Sequence, residues 1–324
     1  MRQNKKNERI VMRAFVFPGQ GSQAVGMGKA LAEAYPAARA VFEEVDDVLG
    51  QKLSAVMWDG PEDQLTLTAN TQPALMATSM AAMKALEAEG VILSRVASYV
   101  AGHSLGEYSA LAAAGALSIA DAARLLRIRG DAMQAAVPVG EGAMAALLGL
   151  DLDAATEVAA EAAEGDVCSV ANDNQPGQVV VSGHKAAVER ATAIAKTKGA
   201  KRAVLLPVSA PFHCSLMQPA ADRMAEALAG VEIKSPVVPV VSNVLAAPIS
   251  DPAEIRKRLV EQVTGTVRWR ESIEWLAASG ADAFVEVGSG KVLSGLIRRM
   301  AKEAAILNVG APEDIAAVRE LIGA

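Results

Sequence analysis

The segment Gly102-His103-Ser104-Leu105-Gly106 sets a serine between two glycines, after an apolar run at 96–101 and before an alanine-rich stretch. A strand that turns sharply into a helix needs such glycines, and the turn lifts the serine hydroxyl out of the sheet as a nucleophile. The N–H groups that open the helix at Leu105 then face the oxyanion formed when a carbonyl is attacked. Outside that setting the same five residues are only a glycine-rich turn. The strand before them and the helix after them favour the nucleophile.

A serine nucleophile needs a base, and the chain has three histidines. His103 adjoins the serine, and its ring does not readily turn back onto a neighbouring hydroxyl. His184 follows Gly183 at a helix start in another part of the chain, which suits a surface or capping role. His213 follows the rigid turn Ala210-Pro211-Phe212 and precedes a helix, whose N-terminus favours a neutral imidazole. Elimination selects His213 over the reading of a hydrogen-bonded loop histidine.

Ser118-x-x-Asp121 predicts a capping box opening a helix that runs to about Gln134. Leu125, Leu126, Ile128, Ala132 and Met133 share one face of it, with Arg124, Arg127, Asp131 and Gln134 opposite. Arg129 falls on the apolar face, where an unpaired guanidinium is costly. It belongs either to an internal salt bridge or to a bidentate clamp for a substrate carboxylate.

Gly19-Gln20-Gly21 follows the first strand and could bring backbone N–H groups beside the serine. It also fits a weak dinucleotide pattern through Ala24, but the stretch about 20 residues on reads as helix, not as a strand end. Gly288-Ser-Gly-Lys291 falls short of a phosphate loop, because Val285 and Val292 occupy required positions.

These residues need a scaffold of buried strands and helices. Of 324 residues 52% are hydrophobic but only 3% aromatic, a composition suited to helices packed on a sheet. Strands at 14–17 and 96–101 alternate with helices at 28–49 and 73–89, the second opening at Pro73. Buried strands recur at 239–243 and 283–287, so the core reads as α/β with parallel strands. Between Pro138 and Pro207 the order changes to strand 143–149, helix 151–164, paired strands 167–171 and 178–182 with a turn at 172–177, helix 185–198 and strand 202–206. That βαββαβ order is ferredoxin-like. The expected division is a catalytic core of 12–137 and 207–324, a small subdomain of 138–206, and a disordered extension of 1–11.

A net charge of −6 argues against a general nucleic-acid binder. Two cysteines, Cys168 and Cys214, suit neither a disulfide scaffold nor a metal site. The first eleven residues lack the apolar segment of a signal peptide, and no uncharged run reaches the ~18 apolar residues of a membrane span. A cytoplasmic protein with no metal, no membrane and no nucleic-acid partner is expected.

Together these segments resemble the bacterial malonyl-CoA:acyl carrier protein transacylases over nearly the whole chain. The resemblance rests on Phe17-Pro-Gly-Gln-Gly-Ser-Gln23, Thr71-Gln-Pro73, Ala101-Gly-His-Ser-Leu-Gly-Glu-Tyr-Ser109, Arg127-Ile-Arg-Gly130, Gly142-Ala-Met144, Pro176-Gly-Gln-Val179, the stretch through His213, and Glu286-Val-Gly-Ser-Gly-Lys291. It implies a hydrolase-like α/β core with an inserted ferredoxin-like lobe. It implies that Ser104 is acylated, that His213 is its base and that Arg129 binds the malonyl carboxylate. The backbone N–H groups of Gln20 and Leu105 would form the oxyanion hole, and Gln262 would orient the histidine in place of an acidic third member. Leu105 and Phe212 are typical of malonyl-selecting members. Ser289 departs from the family's usual proline, in a turn away from the chemistry. The partners implied are malonyl-CoA and an acyl carrier protein, with no cofactor and a monomeric enzyme. Lys196, Lys198, Lys201 and Arg202, or Arg298, Arg299 and Lys302, could dock the acidic carrier. A serine thioesterase or hydrolase, a transferase with another acyl-CoA preference, and a non-catalytic carrier-binding module are the competing readings.

Overall fold

The computed structural model describes residues 12–208 and 210–323. The extension expected at 1–11 lies outside the described residues.

Among the described residues ten strands form two sheets: β1 (Met12–Phe17), β2 (Tyr99–Gly102), β3 (Gly142–Leu148), β4 (Cys168–Gln175), β5 (Gln178–His184), β6 (Arg202–Leu205), β7 (Val240–Ser242), β8 (Ala247–Ile249), β9 (Ala281–Val287) and β10 (Ala305–Val309). The larger sheet has the order β10-β9-β1-β2-β7-β8 and is parallel except for β8, which pairs antiparallel with β7. Phe15, Val16 and Phe17 of β1 and Val285 of β9 are fully buried. Burial on both faces explains why these strands read as unbroken apolar runs.

The smaller sheet, β4-β5-β3-β6, is antiparallel throughout. Helices Leu152–Ala163 and Lys185–Thr197 cover it, with Val158, Ala162, Val188 and Ala191 packed on Val179, Val181 and Leu147. The observed fold is thus α/β with a ferredoxin-like second sheet, as the alternation of elements predicts. β4 is tied to the segment just before helix Trp269–Ala278: Asp173 N–H donates to Val267 O (3.0 Å) and Val267 N–H to Ala171 O (2.9 Å).

Several local expectations shift. The helix expected from Pro73 spans Thr68–Ala88 with Pro73 inside it. Its first turn is held by tertiary packing, since Thr71 Oγ1 donates to Leu65 O (2.6 Å) and Gly130 admits the Ala69 backbone at close range. The helical region 28–49 divides into Lys29–Ala34 and Pro36–Leu49, because Tyr35 is extended ahead of proline. The strand expected at 96–101 starts only at Tyr99, because Val96 ends a helical turn, Leu93–Val96, and Ala97 and Ser98 link the two. The turn expected at 172–177 shrinks to Pro176-Gly177, since β4 pairs as far as Gln175.

Candidate active site

β2 ends at Gly102 and the helix Gly106–Ala113 begins four residues later, with Ser104 between them at φ +53°. The strand and the helix meet backbone to backbone. A Cβ at Gly102 would drive into the Gly106 carbonyl, and one at Gly106 into Phe17 O. No other residue fits at either position. The left-handed serine is held by its surroundings: Ser104 N–H donates to Asn243 Oδ1 (2.7 Å), Asn243 Nδ2 to Gly102 O (2.7 Å), and Gln262 Nε2 to Ser104 O (3.0 Å). Strain of this kind persists only where such contacts over-determine it.

His213 Nε2 lies 2.8 Å from Ser104 Oγ. Its Nδ1 is 2.9 Å from Gln262 O, which can only accept, so Nδ1 carries the proton and Nε2 is free to accept from the serine. Burial, and then the nearby Arg129 charge, lower the His213 pKa from 6.5 to about 3. The imidazole is therefore neutral near pH 7. The other two histidines are engaged elsewhere: His103 Nε2 with Asn174 Oδ1 (2.8 Å), and His184 Nδ1 as acceptor for Val167 N–H (2.9 Å).

Ser118 caps the helix Ile119–Ala135 as expected, with its Oγ accepting from Asp121 N–H (3.0 Å). Arg129 on that helix is 1% exposed. Its Nη1 donates to Gln72 Oε1 (2.8 Å), and its Nη2 to Gln262 Oε1 (2.9 Å) and Ser104 Oγ (3.1 Å). The Tyr108 ring lies 5.8 Å from the guanidinium carbon. Among the described residues no carboxylate forms an ion pair with Arg129, which removes the internal salt bridge as an account of it. The nearest acidic group it senses, Glu107, is reached through the Gln262 amide: Gln262 Nε2 donates to Glu107 Oε2 at 2.7 Å.

Gln262 thus divides its contacts. Its backbone carbonyl meets the histidine, while its side chain serves Arg129, Ser104 O and Glu107. Gln20, Leu105, Met133 and Phe212 join the serine, histidine and arginine around one cavity of about 490 Å³. Among the described residues neither the Gln20 nor the Leu105 backbone N–H has a hydrogen-bond acceptor. Both are available to an incoming oxygen.

Gln72, Glu107 and Asn243 were not anticipated from the sequence. Gln72 and Glu107 stand inside the segments that carry the family resemblance, and Asn243 directly follows β7. The rejected phosphate loop at 288–291 has its own explanation. Buried Glu286 accepts from Leu293 N–H (3.1 Å) and Ser294 N–H (2.7 Å), filling the anion position at the start of helix Val292–Met300. Of the basic clusters, Lys198 is already paired with Glu161 (3.0 Å) and Glu157 (3.6 Å). No helix is long and apolar enough to cross a membrane, among the described residues.

Residues 14–318 match the family described as acyl transferase domain. The malonyl CoA-acyl carrier protein transacylase of Bacillus subtilis is 48% identical over 303 residues, covering 93% of this chain and 94% of the relative. An acyl-carrier-protein S-malonyltransferase from Bartonella henselae superposes with a TM-score of 0.95 at 57% identity, covering 97% of this chain and 100% of the other. A type II PKS acyl-carrier protein in complex with its malonyl-transacylase gives a TM-score of 0.92 at 44% identity, covering 96% and 99%.

Proposed function

The chain belongs to the malonyl CoA-acyl carrier protein transacylases within the acyl transferase family, and on that premise we propose how its residues carry a malonyl group from malonyl-CoA to an acyl carrier protein. The observation that carries the reading is Arg129, a buried guanidinium with no carboxylate partner among the described residues, 3.1 Å from the oxygen of a histidine-bonded serine. A malonyl group brings the missing carboxylate.

The reaction is a ping-pong acyl transfer. His213 Nε2 takes the Ser104 proton as Oγ attacks the thioester carbonyl, and the Gln20 and Leu105 N–H groups receive the developing oxyanion. One strong donor of this kind contributes ~3–4 kcal/mol. Collapse of the tetrahedral intermediate expels the coenzyme A thiolate, protonated by His213, and leaves malonyl-Ser104. The phosphopantetheine thiol of the carrier then gives its proton to His213 and attacks the ester, restoring the serine. The residues need no cofactor for these steps. The malonyl carrier produced supplies extender units for fatty acid synthesis.

His213 is oriented by a neutral carbonyl, and among the described residues no carboxylate is bonded to it to stabilise a lasting imidazolium. Charged with malonyl-CoA and freed of excess thioester, the protein should pass its malonyl group to a phosphopantetheinylated carrier far faster than buffer hydrolyses the ester. Hydrolysis outrunning transfer would make the chain a thioesterase.

A further inference from the structure

Behind the reacting groups lies a carboxyl that the mechanism above does not use. Glu107 is 1% exposed, on the first turn of the helix that follows Ser104. Its Oε2 accepts from Gln262 Nε2 (2.7 Å) and from Asn243 N–H (3.2 Å). Asn243 holds the serine backbone at both Ser104 N and Gly102 O. Gln262 holds Arg129 through Oε1 and His213 through its main chain. One buried group therefore touches both residues that position the site.

The chemistry of the Gln262 amide gives that contact a direction. As placed, its NH₂ faces three acceptors, Glu107 Oε2, Ser104 O and, at 3.4 Å, Asn243 Oδ1, and its oxygen faces the Arg129 guanidinium. Turned over, the NH₂ would meet the donors of Arg129, and the amide oxygen would meet a carboxylate and a carbonyl. An ionised carboxylate only accepts, so it enforces the first orientation. A glutamine at 107 could offer its own NH₂ to a reversed Gln262, removing the carboxylate's share of that constraint and leaving only Arg129, Ser104 O and Asn243 Oδ1 to oppose reversal.

We infer that Glu107 is a positioning residue for acyl selection: it fixes the Gln262 amide so that Gln262 Oε1 aligns Arg129 for a carboxylate-bearing acyl group, and it seats Asn243 beneath the serine turn. The inference rests on the roles given above to Ser104, His213 and Arg129. Burial is the main reason the Glu107 pKa is raised, to about 7, and the hydrogen bonds from Gln262 and Asn243 pull it back toward the ionised form. The same two contacts thus favour the carboxylate that orients the amide.

The test compares single-turnover acylation by malonyl-CoA and by acetyl-CoA, counted per folded molecule, in wild type, Glu107→Gln and Glu107→Asp. Misplacing a reacting group by about 1 Å costs ~100-fold, so malonylation should fall by roughly 10- to 100-fold in Glu107→Gln. Acetylation should fall much less, so the malonyl preference collapses. Glu107→Asp keeps an acceptor and should lie between. In a Gln262→Ala background, Glu107→Gln should leave the remaining preference almost unchanged, because the two act through one contact. A preference that survives in Glu107→Gln, or losses of malonyl preference that multiply independently in the double variant, would overturn the inference. So would failure of both single variants to fold, which would mark the carboxyl as structural. Absence of malonylation in the wild type would instead sink the acyl-transfer reading itself.

Discussion

Replacing His213 with alanine should slow acylation of Ser104 by ~10⁴-fold or more while leaving malonyl-CoA binding nearly unchanged. The serine hydroxyl donates to one base, and its other close partner, Arg129 Nη2, is itself a donor. Among the described residues nothing else within hydrogen-bond reach of the hydroxyl takes the proton. The same substitution should alter the pH dependence of stability. The folded-state pKa of His213 is depressed from 6.5 to about 3 by burial and by Arg129, with His103 acting in the same direction. The unfolded chain therefore binds a proton below about pH 6.5 that the folded chain refuses. This contribution to stability is fully present above 6.5 and is lost as pH falls toward 3, on the order of 5 kcal/mol in all. Glu107, raised to about 7, works in the opposite sense: its contribution is present below 4.5 and lost as pH rises through 7. Urea unfolding should accordingly show that His213→Ala is more stable at pH 4, relative to its own stability at pH 7, than the wild type is. A variant with the wild-type difference would mean that the histidine is not held neutral by the fold.

Arg129→Ala should lower malonylation by ~10²- to 10³-fold and leave acetylation within a few-fold of wild type. Two hydrogen bonds between a guanidinium and a carboxylate are worth about 1.5–3 kcal/mol each, and a factor of ten corresponds to about 1.4 kcal/mol. The guanidinium here is pre-placed. Gln72 and Gln262 hold it with neutral oxygens, which position the cation without neutralising it, and burial strips it of water. Competition between malonyl-CoA and acetyl-CoA reads the change directly. Equal losses with both thioesters would show that Arg129 supports the serine alone and does not recognise the acyl carboxylate.

How far these residues were legible follows from the kind of signal each one carries. Ser104 stands in a motif whose glycines are required by backbone contact, so its setting could be read from local spacing. Arg129 declared itself as a charge on an apolar helix face. His213 followed from scarcity, since only three histidines competed for one role. The βαββαβ lobe was readable because its two helices and the strands that flank them follow one another in clear order, with Pro176-Gly177 marking the turn between the paired strands. The two short edge strands, β8 and β10, were not: three or five residues at a sheet margin carry too little periodicity.

The supporting polar groups lay further beyond sequence reasoning. Glu107 meets Gln262 across 155 positions and Asn243 across 136, and no local pattern reports such pairs. Gln262 was placed only by family resemblance, and its two functions were not separable in advance. A backbone carbonyl holds the histidine there, a function that side-chain identity does not encode. Pro73 misled for a related reason. Proline marks a helix start by default, yet packing against Gly130 carries this helix a turn and more beyond it.

The central claim is a malonyl ester on Ser104. It is tested most directly by weighing the intact protein after brief exposure to malonyl-CoA and mapping the adduct by peptide fragmentation, with Ser104→Ala beside it. One malonyl group per chain, located on the peptide containing Ser104 and missing from the variant, is the predicted result. An unmodified wild type that still transfers malonyl to the carrier, or an adduct that persists in Ser104→Ala, would contradict the covalent route.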